Sequence, residues 1–297
     1  MRLRQIEVFH AVYTTGSMTG AAAQLNVSQP SVSKVLAHAE QQLGYLLFDR
    51  VKGKLVPTPE AHRLIKHVAT VFRDIDRLRH VAENLRAGDS GHIRIASTPA
   101  FGLDFLPTAV ATFRDKHPDT VFEIETLHFD EMTEALLESR VDLGLAFEPL
   151  LSPGIDTVTL ATSRFVALAP LDIDFNGKTT LSATDLCGYP FIGLNNRGPL
   201  GQMLSTYLAA VESELNIVTW SETYHVAKAL VSRGAGVTIA DEITARSGTS
   251  KGLQILPLNP ELRFNIKSLH LAAVPLSIAA QNFVKHLRAC LKDFLAD

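Results

Sequence analysis

The stretch SMTGAAAQLNVSQPSVSKVLAHAEQQL, residues 17–43, contains two helix starts separated by a break of only a few residues. Ser17 is a favourable N-cap residue, and apolar residues recur at helical spacing after it as far as Leu25. A second helix begins near Ser28, because serine again favours the cap position and Pro30 falls in the first turn, where its missing N–H is harmless. So short a break between two helices predicts a helix-turn-helix.

The second helix has one apolar face and one polar face. Its apolar residues recur at helical spacing from Val32 to Leu43, and this face must pack against the protein. The other face carries Gln29, Ser33 and Lys34 near the amino-terminal end, which a helix-turn-helix presents to base edges in the major groove. Glutamine can pair with adenine, and serine can contact any base. An ordinary helical hairpin is the alternative that periodicity alone leaves open.

The composition indicates an ordinary globular chain with an uneven distribution of charge. Its 297 residues exceed one typical core and predict two or three domains. Residues 1–88 carry 12 Lys and Arg against 7 Asp and Glu, whereas the remainder carries 16 against 24. A basic head on an acidic body fits a DNA-binding domain joined to a domain that does not bind DNA.

No stretch of the sequence predicts a signal peptide or a membrane span, so we expect a cytoplasmic protein that does not bind membranes. Cys187 and Cys290 are far apart and form no CxxC motif, which favours reduced, buried thiols over a zinc site or a disulfide. We therefore expect no metal and no cofactor.

Residues 45–58, YLLFDRVKGKLVPT, contain two short β-prone runs around a Lys-Gly-Lys turn. This pattern predicts a β-hairpin, or wing, with Arg50, Lys52 and Lys54 beside the phosphate backbone or the minor groove. A solvated basic turn is the alternative.

The segments MRLRQIEVFHAV, GSMTGAAAQLNVSQPSVSK, LGYLLFDR and LVPTPEA, in this order, carry a family resemblance. The first 60 or so residues resemble, without gaps, the winged helix-turn-helix of LysR-type transcriptional regulators. Lys34 stands where the family frequently has arginine, so a point charge replaces a planar fork. The resemblance implies DNA contacts from the recognition helix and the wing at Gln29, Pro30, Ser33, Lys34, Arg50, Lys52 and Lys54, and we predict Ser28 and Ser31 as further contacts.

Residues 59–87 show a long helical pattern in which apolar residues alternate spacings of 4 and 3 over three heptads. This spacing is typical of a coiled coil, and the resemblance implies the same linker helix and a dimer or tetramer. A symmetric dimer would present two recognition helices to an inverted-repeat operator in double-stranded DNA. An amphipathic helix packed on its own domain is the alternative. The predicted dimer seam consists of Leu64, Val68, Val71, Ile75, Leu78, Ala82 and Leu85.

Strands and helices alternate beyond a predicted hinge at residues 87–91, which indicates parallel α/β sheets in two halves. The resemblance implies an effector-binding domain of two Rossmann-like lobes, similar to periplasmic solute-binding proteins. We predict an amino-terminal α winged helix-turn-helix domain at 1–58, a linker helix and hinge at 59–90, and an α/β effector domain at 91–297. Lobe I would comprise 91–163 and 267–297, and lobe II would comprise 164–266.

Ligands of such sheets bind outside the carboxyl ends of the strands. Ser97 and Thr98 precede a predicted helix and form a candidate site for a carboxylate. Glu148 and Asp241 are expected at the same rim and are candidate partners for a ligand amine, unless they are solvated or paired with Arg164 or Arg197. The predicted effector-binding residues are Ser97, Thr98, Pro99, Ala100, Phe101, His128, Phe147, Glu148, Asn195, Thr223, Tyr224 and Asp241.

These observations favour a DNA-binding transcriptional regulator that responds to a small carboxylate or an amino-acid-like effector. The segment VSRGAGVTIADE, residues 231–242, is also similar to regulators of opine and basic amino-acid catabolism. A solute-binding protein is one alternative, opposed by the basic head and the missing signal peptide. An α/β enzyme is another, opposed by the absence of HExxH and P-loop motifs from the sequence.

Overall fold

The chain folds into two compact units, Met1–Arg79 and His80–Asp297. Among the described residues, no helix is both long enough and apolar enough to cross a bilayer. The structure is a computed structural model that describes residues 1–51, 53–88, 90–150, 152–195, 198–248 and 252–296.

The first unit packs three helices and a hairpin around one apolar core. Phe9, Val32 and Leu36 are buried in this core together with Leu47, which precedes the hairpin. The hairpin strands pair antiparallel, from Phe48 opposite Pro57 to Val51 opposite Lys54. The elements are α1 (Leu3–Thr15), α2 (Met18–Gln24), α3 (Gln29–Leu43), β1 (Phe48–Val51) and β2 (Lys54–Pro57).

Both predicted helix starts of the helix-turn-helix are confirmed, but only one serine caps through its side chain. The hydroxyl of Ser17 accepts a hydrogen bond from the Gly20 N–H at 2.9 Å. Ser28 precedes α3, yet its hydroxyl pairs with that of Ser31 at 2.8 Å and makes no cap bond to the backbone. The prediction that the Ser28 side chain caps α3 is therefore wrong, and the proline in the first turn accounts for the helix start.

The predicted long helix is α4 (Pro59–Ala87), and the part up to Arg79 belongs to the first unit. Leu64 and Val68 pack against the apolar core of that unit, and Val68 is only 3% exposed. These two residues therefore match the alternative in which the helix packs on its own domain. The seam stays a prediction for the residues farther along, of which Val71 is 37%, Leu78 69% and Leu85 81% exposed, while Ile75 is half-buried and Ala82 exposed.

The second unit has an α/β fold, which confirms the predicted fold class. Its first sheet has the order β4-β3-β5-β11-β6, in which β3 lies parallel to both β4 and β5. Helix α7 packs on one face of this sheet, and α6 and α11 meet each other through Phe113 and Phe283. We call this sheet and its helices the first lobe. Its elements are β3 (His92–Ser97), α5 (Pro99–Gly102), α6 (Phe105–Lys116), β4 (Val121–Thr126), α7 (Phe129–Leu137), β5 (Leu143–Phe147), β6 (Ile155–Pro170), β11 (Arg263–Leu271) and α11 (Ile278–Ala296).

Strand β6 continues from the first lobe into a second one. Its residues up to Arg164 pair with β11, whereas those from Phe165 onward pair with β9 and β10. The parallel pair β7 and β8 joins this second sheet through backbone hydrogen bonds between β7 and Val237. We call this half the second lobe. Its other elements are β7 (Pro190–Leu194), α8 (Gly198–Leu208), β8 (Asn216–Ser221), α9 (Tyr224–Val231), β9 (Thr238–Asp241), α10 (Glu242–Arg246) and β10 (Leu253–Pro257), with 3-10 turns at Ala183–Leu186 and Glu212–Glu214.

Candidate functional site

The polar side of α3 faces solvent, as a base-reading surface requires. Five of the predicted contact residues on it are exposed: Ser28, Gln29, Pro30, Ser31 and Lys34. Ser33 is half-buried, and the opposite face is closed by the buried Val32, Leu36 and Ala39. The helix therefore offers one row of small, amide and basic side chains to a partner.

The wing carries two of its three predicted phosphate contacts on exposed positions, Arg50 and Lys54. The third, Lys52, lies outside the described residues. Sequence reasoning missed the group that holds the wing on the recognition helix. Glu40 of α3 accepts hydrogen bonds at Oε1 from the backbone N–H of Leu47 at 2.8 Å and of Phe48 at 3.2 Å.

Thr58 closes the other end of the wing. Its hydroxyl lies 3.0 Å from the carbonyl of Leu46 and accepts from the Ala61 N–H at 3.2 Å, so it joins the wing to the start of α4. A threonine before Pro59 is a recognisable helix-start signal, and it could have been read from the sequence.

In the first lobe, predicted effector residues lie where β3 ends. Ser97 is fully buried, Ala100 and Phe101 are also buried, and the hydroxyls of Ser97 and Thr98 have no hydrogen-bond partner among the described residues. The helix directly after Thr98 is the four-residue α5, which begins at Pro99. Its dipole is correspondingly weak, so the orphan hydroxyls make the stronger argument for a ligand.

A line of aromatic rings connects this region to the second lobe. Phe101 stacks on Phe147 at 4.4 Å between centroids, and Phe147 meets Phe264 at 5.2 Å. Phe264 then meets Phe165 at 5.1 Å, and Phe165 meets Tyr224 at 6.3 Å. Strand pairing over long sequence separations thus brings together three predicted residues, Phe101, Phe147 and Tyr224. Phe264 and Phe165, which were not predicted, complete the line.

Asp241 lies at the second-lobe end of this line, paired in register with Phe165. One carboxylate oxygen accepts the Thr244 N–H at 2.8 Å, and the other has no partner among the described residues. Complete burial raises the pKa of Asp241 to about 6. Burial also raises the pKa of the Tyr224 hydroxyl, and the neighbouring Asp241 carboxylate raises it further.

The carboxylate of Glu148 is not unpaired and free for a ligand amine, contrary to our prediction. Its Oε2 accepts the backbone N–H of Asn265 at 2.6 Å, and its Oε1 lies 3.9 Å from Lys267 Nζ. Its φ of +34° places it in the left-handed region that side chains rarely adopt. The prediction of an unpaired carboxylate at Glu148 is therefore wrong, because strand β11 of its own lobe already binds it.

The alternative pairings of the two acids also need correction. Arg164 lies 3.2 Å from carboxylate oxygens of both Glu242 and Glu261, and neither Glu148 nor Asp241 is its partner. Arg197 lies outside the described residues.

Three other predicted residues make separate contacts. His128 is exposed at the start of α7, where its N–H donates to Glu131 at 3.1 Å. Thr223 Oγ1 lies 3.5 Å from His225 Nε2. Asn195 is exposed and lines a cavity of about 490 Å³ that β7, β8 and α8 enclose within the second lobe.

Sequence reasoning also missed Lys228, a buried lysine on α9. Its Nζ donates to the carbonyls of Ser247 at 2.6 Å and Thr244 at 3.2 Å, and so holds the segment that follows Asp241. Burial lowers the pKa of Lys228, while the carboxylates of Asp104 and Asp241 act in the opposite direction. A lysine between two buried apolar positions of an amphipathic helix was the available signal.

The two units match two family models that together cover most of the chain. The model described as a bacterial regulatory helix-turn-helix protein, lysR family, matches residues 3–62. The model described as a LysR substrate binding domain matches residues 86–292. The first model covers the recognition helix and the wing, and the second covers the two lobes.

Two known regulators are similar in sequence to this chain over most of its length. The chain is 41% identical over 291 residues to the HTH-type transcriptional regulator DgcR of Pseudoalteromonas sp, covering 98% of this chain and 100% of DgcR. It is 28% identical over 245 residues to the octopine catabolism/uptake operon regulatory protein OccR of Rhizobium meliloti, covering 82% of this chain and 81% of OccR.

The fold is similar to that of full-length CbnR, solved in complex with its target DNA, with a TM-score of 0.68. The two chains are 22% identical, and the match covers 98% of this chain and 100% of CbnR. The family models and relatives are those of transcriptional regulators and not of enzymes. The chain therefore belongs to the LysR family of DNA-binding transcriptional regulators with an effector-binding domain.

Proposed function

We propose that this regulator acts in the cytoplasm and is controlled by a small amino-acid-like or opine-like effector bound between its two lobes. The observation that carries the proposal is the group of buried polar atoms without partners at both ends of the aromatic line: the hydroxyls of Ser97 and Thr98 and one carboxylate oxygen of Asp241. Buried polar groups are nearly always hydrogen-bonded in proteins, so such a group indicates a place where a ligand supplies the missing partners.

The chemistry of the two ends selects a zwitterion. Hydroxyl groups can donate to a ligand carboxylate, whereas the free oxygen of Asp241 can accept from a ligand amine. Because the carboxylate of Glu148 is already bound by Asn265, the role of amine partner falls to Asp241 alone. The likeness to OccR, whose name refers to octopine, supports an opine-like compound.

Thermal-shift screening tests the effector class with the full chain. Amino acids and opines should raise the melting temperature, and the corresponding deaminated carboxylates should raise it less. Thr98→Ala should weaken the stabilisation by both classes, and Asp241→Asn should abolish only the advantage of the amine-bearing compounds. Equal stabilisation of the wild type by amine-bearing and amine-free carboxylates, unchanged in Asp241→Asn, would contradict the zwitterion.

We further propose that the chain reads an inverted-repeat operator as a dimer, or as a tetramer built from dimers. The exposure of Val71, Leu78 and Leu85 on one helix at heptad spacing supports this assembly. Sedimentation velocity of Leu85→Glu should show a smaller species than the wild type. A mobility assay with the promoter regions flanking its own gene should show specific binding at moderate salt, and its absence would count against operator recognition.

A further inference from the structure

The last turns of α4 carry two side chains that bind the first lobe directly. Asn84 Oδ1 accepts the backbone N–H of His92 at 2.8 Å, and Asn84 Nδ2 lies 3.1 Å from the carbonyl of the same residue. The amide thus satisfies both backbone groups of the first residue of β3, as a neighbouring strand would. It does so across the segment that we predicted to be a hinge.

His80 lies one turn earlier on the same face of α4 and is buried. Its Nε2 is 3.0 Å from both Asp142 Oδ2 and Asn84 Nδ2. Because an ionised carboxylate only accepts, we assign the ring proton to Nε2, which donates to Asp142 and leaves the Asn84 amide for His92.

Asp142 is itself fixed within the first lobe. Arg94 donates to it from Nη2 at 2.7 Å and from its backbone N–H at 2.9 Å. Burial raises the pKa of Asp142, but the hydrogen bonds from His80 and Arg94 outweigh this effect and hold the pKa below its ordinary value. The histidine therefore binds a carboxylate that stays charged and is fixed within the first lobe.

The close approach of Asn84 depends on a glycine. A Cβ at the buried Gly91 would lie 3.0 Å from Asn84 Oδ1 and 3.2 Å from the Cβ of Ala279. Both contacts are tighter than ordinary packing, and the Ala279 side cannot give way because that residue is fully buried. Gly91 thus provides space for the bond rather than freedom of rotation.

We propose that Asn84 and His80 act as positioning residues that clamp the end of the linker helix onto the first lobe, so that the helix end and the lobe do not rotate freely relative to each other. The clamp makes the last two turns of α4 move as one body with β3 and β5. Its consequence for regulation rests on the proposed effector function: a movement of the first lobe would reach the helix instead of being absorbed in the connection.

Distance measurements between spin labels on the full chain test the clamp without any ligand. Labels are placed at Glu83→Cys on the linker helix and Asp115→Cys on α6, both exposed positions, in a Cys187→Ser, Cys290→Ser background. We expect one narrow distance distribution for the otherwise unchanged chain. Asn84→Ala should broaden it at least twofold, and His80→Ala together with Asn84→Ala should broaden it further.

Arg86→Ala is the matched control, because Arg86 shares the last turn of α4 but is exposed. It should leave the distribution narrow. If the double variant does not fold, Asn84→Asp provides the test: it keeps an acceptor for the His92 N–H but loses the donor, and should broaden the distribution partly.

A distribution that stays as narrow in the alanine variants as in Arg86→Ala would overturn the clamp. A lower melting temperature of the alanine variants with an unchanged width of the distance distribution would also overturn the clamp, because the two side chains would then only stabilise the fold. Neither result bears on effector binding, which the ligand screen tests separately.

Discussion

The two candidate sites of this chain contrast in how their polar groups are held. The predicted DNA-reading groups lie within one short stretch of sequence from Gln29 to Lys54, and most of those that the structure describes are exposed. The effector group is buried and is assembled from residues as distant as Ser97 and Asp241. An exposed polar group is satisfied by water until a large partner replaces it, whereas a buried one without a partner carries a cost in the empty protein. The polar groups of the first site therefore cost the unbound protein little stability, whereas those of the second lower its stability until a ligand pairs with them.

Among the tests of this contrast, Asp241→Asn should have the largest effect on the free energy of unfolding. Ionisation of Asp241 is disfavoured in the native state, because its pKa is raised from 3.8 to about 6. Native protein then holds a proton that the unfolded chain has lost, so stability falls as pH rises from about 4 to 6 and the full cost is present above 6. A shift of this size corresponds to an upper limit on the order of 3 kcal/mol. Asparagine removes the charge and still caps α10.

Urea unfolding at pH 8 should therefore show Asp241→Asn to be more stable than wild type, and at pH 4 the difference should nearly vanish. Fluorescence of Trp220, the only tryptophan, reports the second lobe, in which Asp241 lies. The exposed Asp172→Asn is the matched control and should show no such pH dependence. An equal gain at both pH values would mean that Asp241 does not titrate in this range.

The next prediction concerns Glu40, which holds the wing on the recognition helix at the exposed candidate site. Glu40→Ala leaves the N–H of the fully buried Leu47 without its acceptor, and hydrogen bonds to charged groups contribute roughly 1.5–3 kcal/mol. We expect a loss of this order in the unfolding free energy of the first unit, together with weaker DNA binding. Glu40→Gln retains an acceptor oxygen and should lose less. Equal losses in both variants, measured by urea unfolding, would show that charge rather than hydrogen bonding matters.

Base readout is tested by Gln29→Ala. We expect discrimination between the operator and variants at one base pair to fall by roughly 1–3 kcal/mol, because a bidentate amide contact to a base is lost. Competition binding with a set of single-base operator variants measures this directly. A uniform loss of affinity on every sequence would place Gln29 on the phosphate backbone instead.

The sequence predicted much of the first unit and less of the second, for a physical reason that particular elements show. Helix caps and apolar periodicity are local, so the helices that start after Ser17 and Ser28 were predictable. The first half of β6 was missed because its exposed edge alternates polar residues, and the five-residue α10 is too short for periodicity to appear.

The hydrogen-bond partners of the candidate effector residues were harder to predict than the positions of these residues in the fold. The strand ends at Ser97 and Phe147 could be read from hydrophobic runs. Glu148 finds its partner in Asn265, 117 positions later, and Lys228 binds carbonyls that follow Asp241 by several residues. Such contacts depend on strand register, which a single sequence does not specify over these separations.

The smallest expected effect, that of Lys54→Ala, separates the two kinds of exposed contact. Lys54 lies on the wing and is exposed, so we expect it to supply a point charge near phosphates and no base reading. Removing one phosphate contact should make the slope of log affinity against log salt less steep by about 0.9. Operator and unrelated DNA should lose affinity by the same factor. Lys66→Ala, an equal loss of charge at an exposed position on α4, is the control and should leave the slope nearly unchanged. If Lys54→Ala instead altered the ratio of operator to unrelated binding, the wing would read sequence or groove shape, and the division between a specifying helix and a positioning wing would fail.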